Sequence, residues 1–169
     1  MNPLQSQRLR LRPVALTDVQ EVYRHFKADI IEYMYPAVNK NLQATREVIQ
    51  SMIKKRNAQQ EEVYVILKVE SLEFIGLAGL HDLESDRPEI GIWTKKAAHG
   101  HHYGREAVQL LIERAKQLKL KTVIYPVDYR NLASCKIPQY FGGVVVGERE
   151  TVTTKDDRVL YIDTYEINL

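Results

Sequence analysis

Cysteine is almost missing from this sequence, with Cys135 standing alone. A lone thiol closes no internal disulfide and offers no Cys spacing for zinc. Long apolar runs are missing too: nowhere do the roughly 18 consecutive apolar residues of a membrane span occur. The opening residues Met1 to Ser6 lead into the alternating Arg8-Leu9-Arg10-Leu11-Arg12 with no apolar stretch behind them, unlike a signal peptide. The expectation is a cytoplasmic protein without membrane contact. Charge of one sign is not in excess either. Twenty-four basic and 22 acidic residues leave a net charge of +2, whereas a groove-tracking nucleic-acid binder carries a clustered basic surplus. Nucleic acid is therefore not expected as a partner. No internal repeat, low-complexity tract or Pro/Gly/Ser linker divides the chain, so residues 1–169 are expected to form one domain. Its 44% apolar and 27% charged residues are ordinary for a packed core.

What is present is a readable alternation of periods. Leu9 and Leu11 alternate with arginines as in a half-buried strand that Pro13 ends. Thr17 and Gln20 stand in capping-box spacing before Val19, Val22, Tyr23 and Phe26, which predict a helix. Val48, Ile49, Met52 and Ile53 predict a second, with a loop at Tyr33–Pro36 between them. Val63–Val69, Phe74–Leu80 and Glu89–Trp93 read as strands, the first two joined by a turn at Glu70–Glu73. Ala107, Leu110, Leu111, Ala115 and Leu118 form one stripe on a helix starting near Tyr103. Thr122–Val127 is a strand carrying Pro126, which donates nothing to a ladder; the strand is an edge or is splayed from a neighbour there. A helix from about Asn131 to Phe141 ends at Gly142-Gly143, and strands follow at Val144–Arg149 and Val159–Ile167. The order predicts a mixed α/β sheet rather than a doubly wound one.

The segment richest in chemistry runs from Glu89 to Ala107. A strand ends, a loop with Gly100, Gly104 and several basic groups follows, and a helix opens. Helix N-termini present unpaired N–H groups and about half a positive charge, which suits a phosphate. Lys95, Lys96 and Arg105 would add charge. The plain alternative is a strand-to-helix turn with solvated basic residues.

This stretch resembles the acetyl-CoA pyrophosphate loop of the GNAT superfamily, and the chain looks closest to its RimJ/RimL-type branch. The branch's Glu-Ile-Gly-x-Trp strand is present as Glu89-Ile90-Gly91-Ile92-Trp93, and its helix-opening Glu-Ala as Glu106-Ala107. Arg8–Pro13 with Asp18, Phe74–Leu80, and Asn131 through Ser134 to Gly147 match further segments in order. The departures are His99 for the loop's first Gln or Arg, His102 for its central glycine, and Tyr140 and Gly143 for a Lys and a Phe.

The resemblance implies a GNAT fold with a mostly antiparallel sheet of six to seven strands, splayed in the middle and flanked by about four helices. It implies an acetyl-CoA-dependent N-acetyltransferase acting on a primary amine, either a protein N-terminus or a small molecule, and a homodimer. The pantetheine arm would lie between the Glu89 and Thr122 strands, against the backbone of Ile92, Trp93 and Thr94. Asn131 and Ser134 would hold its far part. His99, Gly100, His101, His102, Tyr103, Gly104 and Arg105 would hold the pyrophosphate. His102 puts a side chain where the family's backbone meets phosphate and can use positive φ.

Amine acetylation needs a neutral nucleophile and a proton for the departing thiolate. Glu89 is the candidate base, and Ser134 the group that serves the thiolate; their plain readings are a strand-start polar residue and a helix cap. A backbone N–H near Trp93 or Thr94 would polarise the carbonyl, and Tyr140 is an alternative acid. Cys135 reads as a small buried hydrophobe. His99, His101 and His102 crowd one tight loop without a distant fourth ligand, so no metal is expected. The acceptor would be lined by Ile30–Lys40 and His81–Pro88. The rival reading is a weak or inactive GNAT-like module that binds CoA or serves as an interaction domain.

Overall fold

The computed structural model describes residues 4–169. Among the described residues fourteen strands and α-helices follow one another: β1 Leu4–Gln5, β2 Leu9–Pro13, α1 Val19–His25, α2 Ala28–Ile31, α3 Leu42–Asn57, β3 Glu62–Lys68, β4 Phe74–His81, β5 Glu89–Thr94, α4 Tyr103–Gln117, β6 Thr122–Asp128, α5 Leu132–Tyr140, β7 Val144–Val145, β8 Glu150–Thr153 and β9 Val159–Asn168. Nine strands share one sheet, ordered β1-β2-β3-β4-β5-β6-β9-β7, with β8 also on β9. Every pairing is antiparallel except that of β5 with β6.

Strand alternation sends side chains to two cores. On one face Tyr64, Ile66, Ala78, Leu80 and Ile90 pack beneath α4. On the other Val63, Val65, Leu77 and Phe74 meet Val19 and Val22 of α1, Phe26 just after it, and Ile49 of α3. Strands β3 and β4 are thus covered on both sides, which is why they read as near-continuous apolar runs. No helix among the described residues is long and apolar enough to cross a membrane.

The expected elements are present, with differences of local cause. Nine strands replace six or seven because β1 is only two residues long and the stretch expected as Val144–Arg149 breaks. Gly147 has φ +74°, and beyond it β8 starts afresh at Glu150. Five α-helices replace about four, the addition being the single turn α2 just before the expected loop. The Thr17–Gln20 capping box does not form. Asp18 serves instead, accepting from the backbone N–H of Ala15 at 2.8 Å and from Arg12 at 2.6 and 2.9 Å.

Candidate active site

Two parallel strands diverge at the centre of the sheet. β5 and β6 share one ladder pair, Glu89 with Ile124, while β6 pairs with β9 along its whole length. The Ile124 N–H donates to Pro88 O at 2.8 Å, so its backbone faces β5. Pro126, two residues on, faces the same way with no N–H to offer. The strand is therefore splayed, on the side where the proline sits. On the opposite wall the Lys95 N–H donates to Ile75 O at 2.7 Å, so Lys95 and Trp93 face β4. By alternation Ile92 and Thr94 turn their backbone groups into the opening.

That alternation removes Trp93 from the candidate donors, since its backbone belongs to the β4 ladder. Its indole packs on Phe26 and Phe74, with ring centroids 5.0 and 5.8 Å away. Trp93 therefore anchors the strand, and the free donors on this wall are those of Ile92 and Thr94.

The N-terminus of α4 stands over the opening. A Cβ on Gly104 would lie 3.3 Å from Ile137 of α5 and 3.8 Å from Ile92 of β5, so this turn, α5 and β5 converge there. The first backbone bond of α4 runs from Glu106 N–H to His102 O at 3.2 Å. The N–H groups of Tyr103, Gly104 and Arg105 precede it and have no partner within the helix. His102 adopts φ +61°, ψ +18°, and Gly100 φ +80°. The histidine thus takes the left-handed conformation that a glycine would take freely, with its side chain exposed.

The basic groups around the loop are mostly engaged elsewhere. Lys95 is buried with its Nζ 2.7 Å from Glu73, and Lys96 lies 3.4 Å from Asp29. Arg105 sits 4.3 Å above the Tyr140 ring, which leaves Tyr140 exposed at the end of α5. His99 folds back on the end of β5, with Nε2 3.0 Å from Thr94 O. A carbonyl acceptor requires the protonated Nε2. His101 stacks on Tyr103. The three histidines thus diverge, and among the described residues no group of three His, Cys, Asp or Glu is placed to hold a metal ion. Glu106 has a structural role, accepting from Ser6 and from Arg8, whose guanidinium also reaches His101 O at 3.3 Å. The β1–β2 turn is thereby tied to the loop.

Below the opening, Asn131 caps α5, accepting from the Ser134 N–H at 3.2 Å. This leaves the Ser134 hydroxyl free for the Tyr125 hydroxyl, 2.8 Å away. Burial drives the Tyr125 phenol up to about 12, partly countered by that serine, so the pair keeps its protons. Cys135 is buried against the carbonyls of Asp128 and Tyr129, and burial pushes its thiol up, away from nucleophile behaviour.

On the α1/α3 face lies Glu89, half-buried at the point where the strands part. Burial raises its carboxyl above the ordinary range, His81 lowers it and Asp82 raises it further. Tyr35 stands close enough to feel both Glu89 and Glu150. Sequence reasoning missed the third wall of this region, the β8–β9 hairpin. Arg158 from that hairpin donates to Ile31 O, to Met34 O at 2.8 Å and to Pro36 O at 2.9 Å. A lone arginine in a polar turn gives no signal of such a reach.

Comparisons with known proteins bear on the family and the fold. The family model described as acetyltransferase (GNAT) domain matches residues 8–144. No curated protein matches the chain. Among solved structures the chain is similar to RimL, an alpha-N-protein acetyltransferase acting on a ribosomal protein, in complex with coenzyme A. The TM-score is 0.86 at 15% identity, over 99% of this chain and 98% of that one. An acetyltransferase of the GNAT family from Bacillus anthracis gives 0.85 at 17% identity, over 99% and 98%.

Proposed function

From a chain that belongs to the acetyltransferase (GNAT) domain family, we propose an N-acetyltransferase that takes its acetyl group from acetyl-CoA and transfers it to a primary amine, either a protein N-terminus or a small amine. The observation that carries this reading is the opening between β5 and β6 beneath the N-terminus of α4. An extended amide-bearing chain suits that opening, because Ile92 and Thr94 offer strand-edge backbone and Pro126 demands no partner. A pyrophosphate suits the free N–H groups of Tyr103, Gly104 and Arg105. Acetyl-CoA supplies the activated thioester.

Glu89 receives a proton from the incoming ammonium; its raised proton affinity favours that role. The N–H of Ile92 or Thr94 polarises the carbonyl under attack. Ser134, backed by Tyr125, donates a hydrogen bond or proton to the departing thiolate. The acceptor enters over Tyr35, between the α2–α3 segment and the β8–β9 hairpin.

The engagement of Lys95 and Lys96 by carboxylates favours a second reading, a GNAT domain that holds CoA weakly and turns over little. One experiment separates the two. Acetyl-CoA binding is read by thermal shift and calorimetry, and thiol release is followed with Ser-, Met- and Ala-initiated peptides, spermidine and lysine. Binding by mass action raises the melting temperature. Thiol release with any of these amines supports the enzyme, binding without release supports the module, and silence at millimolar ligand overturns both.

A further inference from the structure

We infer that His81, oriented by buried Glu61, is a positioning residue that carries the acceptor's proton away from Glu89. This rests on the proposed acetyl transfer and assigns that site a relay. The strand register builds it. Glu62 pairs with Leu80, so Glu61 falls opposite His81, and His81 pairs with Glu89 on its other side. Glu61, just before β3, thus lines up with His81 and Glu89 in one row, on the face of the proposed acceptor entrance.

Glu61 is 5% exposed, and its Oε2 lies 3.1 Å from His81 Nδ1. A buried carboxylate at that nitrogen selects the Nδ1–H tautomer and leaves the Nε2 lone pair as an acceptor. The ring lies over two glycines, since a Cβ on Gly79 or Gly91 would come within 2.9 Å of Nε2. Any larger residue at either position would displace the imidazole. Nε2 therefore sits above a bare floor between β4 and β5, close enough to Glu89 for their charges to act on each other. The other charged neighbours are Asp82, next in sequence, and Lys55, 3.5 Å from Glu61. The His81 side chain is itself 31% exposed, which gives the row an outlet to solvent.

The proton count closes. The ammonium loses one proton to Glu89 before attack and a second as the C–S bond breaks and the amide forms. One of these is made good at the thiolate through Ser134. The other passes from Glu89 to His81 Nε2, giving an imidazolium held against Glu61, and leaves to water.

The test begins with histidine-labelled protein, in which long-range proton–nitrogen spectra read each tautomer directly; His81→Asn identifies the signal. Wild-type His81, when neutral, is expected to carry its proton on Nδ1, and Glu61→Ala is expected to release that preference. A neutral His81 protonated on Nε2 overturns the inference without any acceptor in hand. With acetyl-CoA and a panel amine that is turned over, His81→Asn is expected to lower kcat at least tenfold. The KM for acetyl-CoA should stay unchanged, and the pH profile of kcat should change shape. An unaltered kcat and pH profile in His81→Asn overturns the relay while leaving acetyl transfer standing. Failure of the wild type to bind acetyl-CoA instead removes the function on which the relay rests.

Discussion

The Ser134 hydroxyl lies 2.8 Å from the Tyr125 hydroxyl, joining α5 to the strand wall beneath the opening through two neutral, proton-bearing groups. Ser134→Ala should lower kcat while the Kd for CoA barely moves. It should also leave the buried Tyr125 hydroxyl without a partner, at about 1 to 3 kcal/mol. Adding Tyr125→Phe should restore part of that stability but none of the rate. Denaturant titration beside steady-state kinetics separates the two effects; a double variant with recovered kcat would make the pair purely structural.

His102 bears a strain that its replacement should relieve. A side chain in the left-handed region costs about 1 kcal/mol or more relative to glycine. His102→Gly should therefore raise stability by about 1 kcal/mol and keep or improve acetyl-CoA affinity. Calorimetry that instead shows a tenfold loss would mean that the His102 side chain meets phosphate.

Glu89→Gln should lower kcat by roughly 10²- to 10⁴-fold with the KM for acetyl-CoA nearly unchanged. The wild-type rate should rise with pH as the carboxyl ionises above its ordinary range, and the variant should lack that rise. Stability should move the other way. A raised carboxyl affinity means the folded state is favoured while Glu89 is protonated and loses that favour as pH rises through the elevated value. At neutral pH the glutamine variant should therefore melt higher than wild type, and below about pH 4 the difference should vanish. A variant with normal kcat would reduce Glu89 to a structural residue.

Asp128 should govern acid stability. Its side chain is fully buried and accepts from Arg130 N–H, Nε and Nη2 and from the Tyr161 N–H, at 3.0, 2.8, 2.6 and 2.9 Å. Burial works to raise its carboxyl, and the four donors outweigh it, so the net shift is down. A lowered value in the folded state gives stability that is present above the unfolded value and lost as pH falls through the folded one. Asp128→Asn should cost about 2 to 4 kcal/mol at neutral pH, and the wild-type advantage should fade below about pH 4. A flat difference from pH 7 to pH 3 would contradict it.

Much of the fold was legible because its signals are local. The alternation in β2, the apolar runs of β3 and β4 and the stripe on α4 each follow from one face meeting one core. Pro126 announced the splay because a missing N–H is a covalent fact. The count of short strands was not legible, since two residues such as Val144–Val145 carry no period. In the candidate site, Glu89, Ser134 and the loop before Tyr103 were proposed from motifs in their order along the chain. The partition of Ile92 and Thr94 from Trp93 was not, because only the register with β4 decides which backbone groups are free. Nor were the Tyr125 hydroxyl beside Ser134 and Glu61 beside His81, which come from separate strands and turns.

The Arg158 guanidinium, fastened to carbonyls at Ile31, Met34 and Pro36, has a consequence for redesign. Two of the segments that border the proposed acceptor entrance are mechanically one part, although more than a hundred residues separate them in the chain. A graft that replaces the α2 segment alone would present the arginine with carbonyls at new positions, and a hairpin graft alone would strand three carbonyls without their donor. Acceptor preference should therefore transfer between related enzymes as a cassette of both segments with Arg158 included.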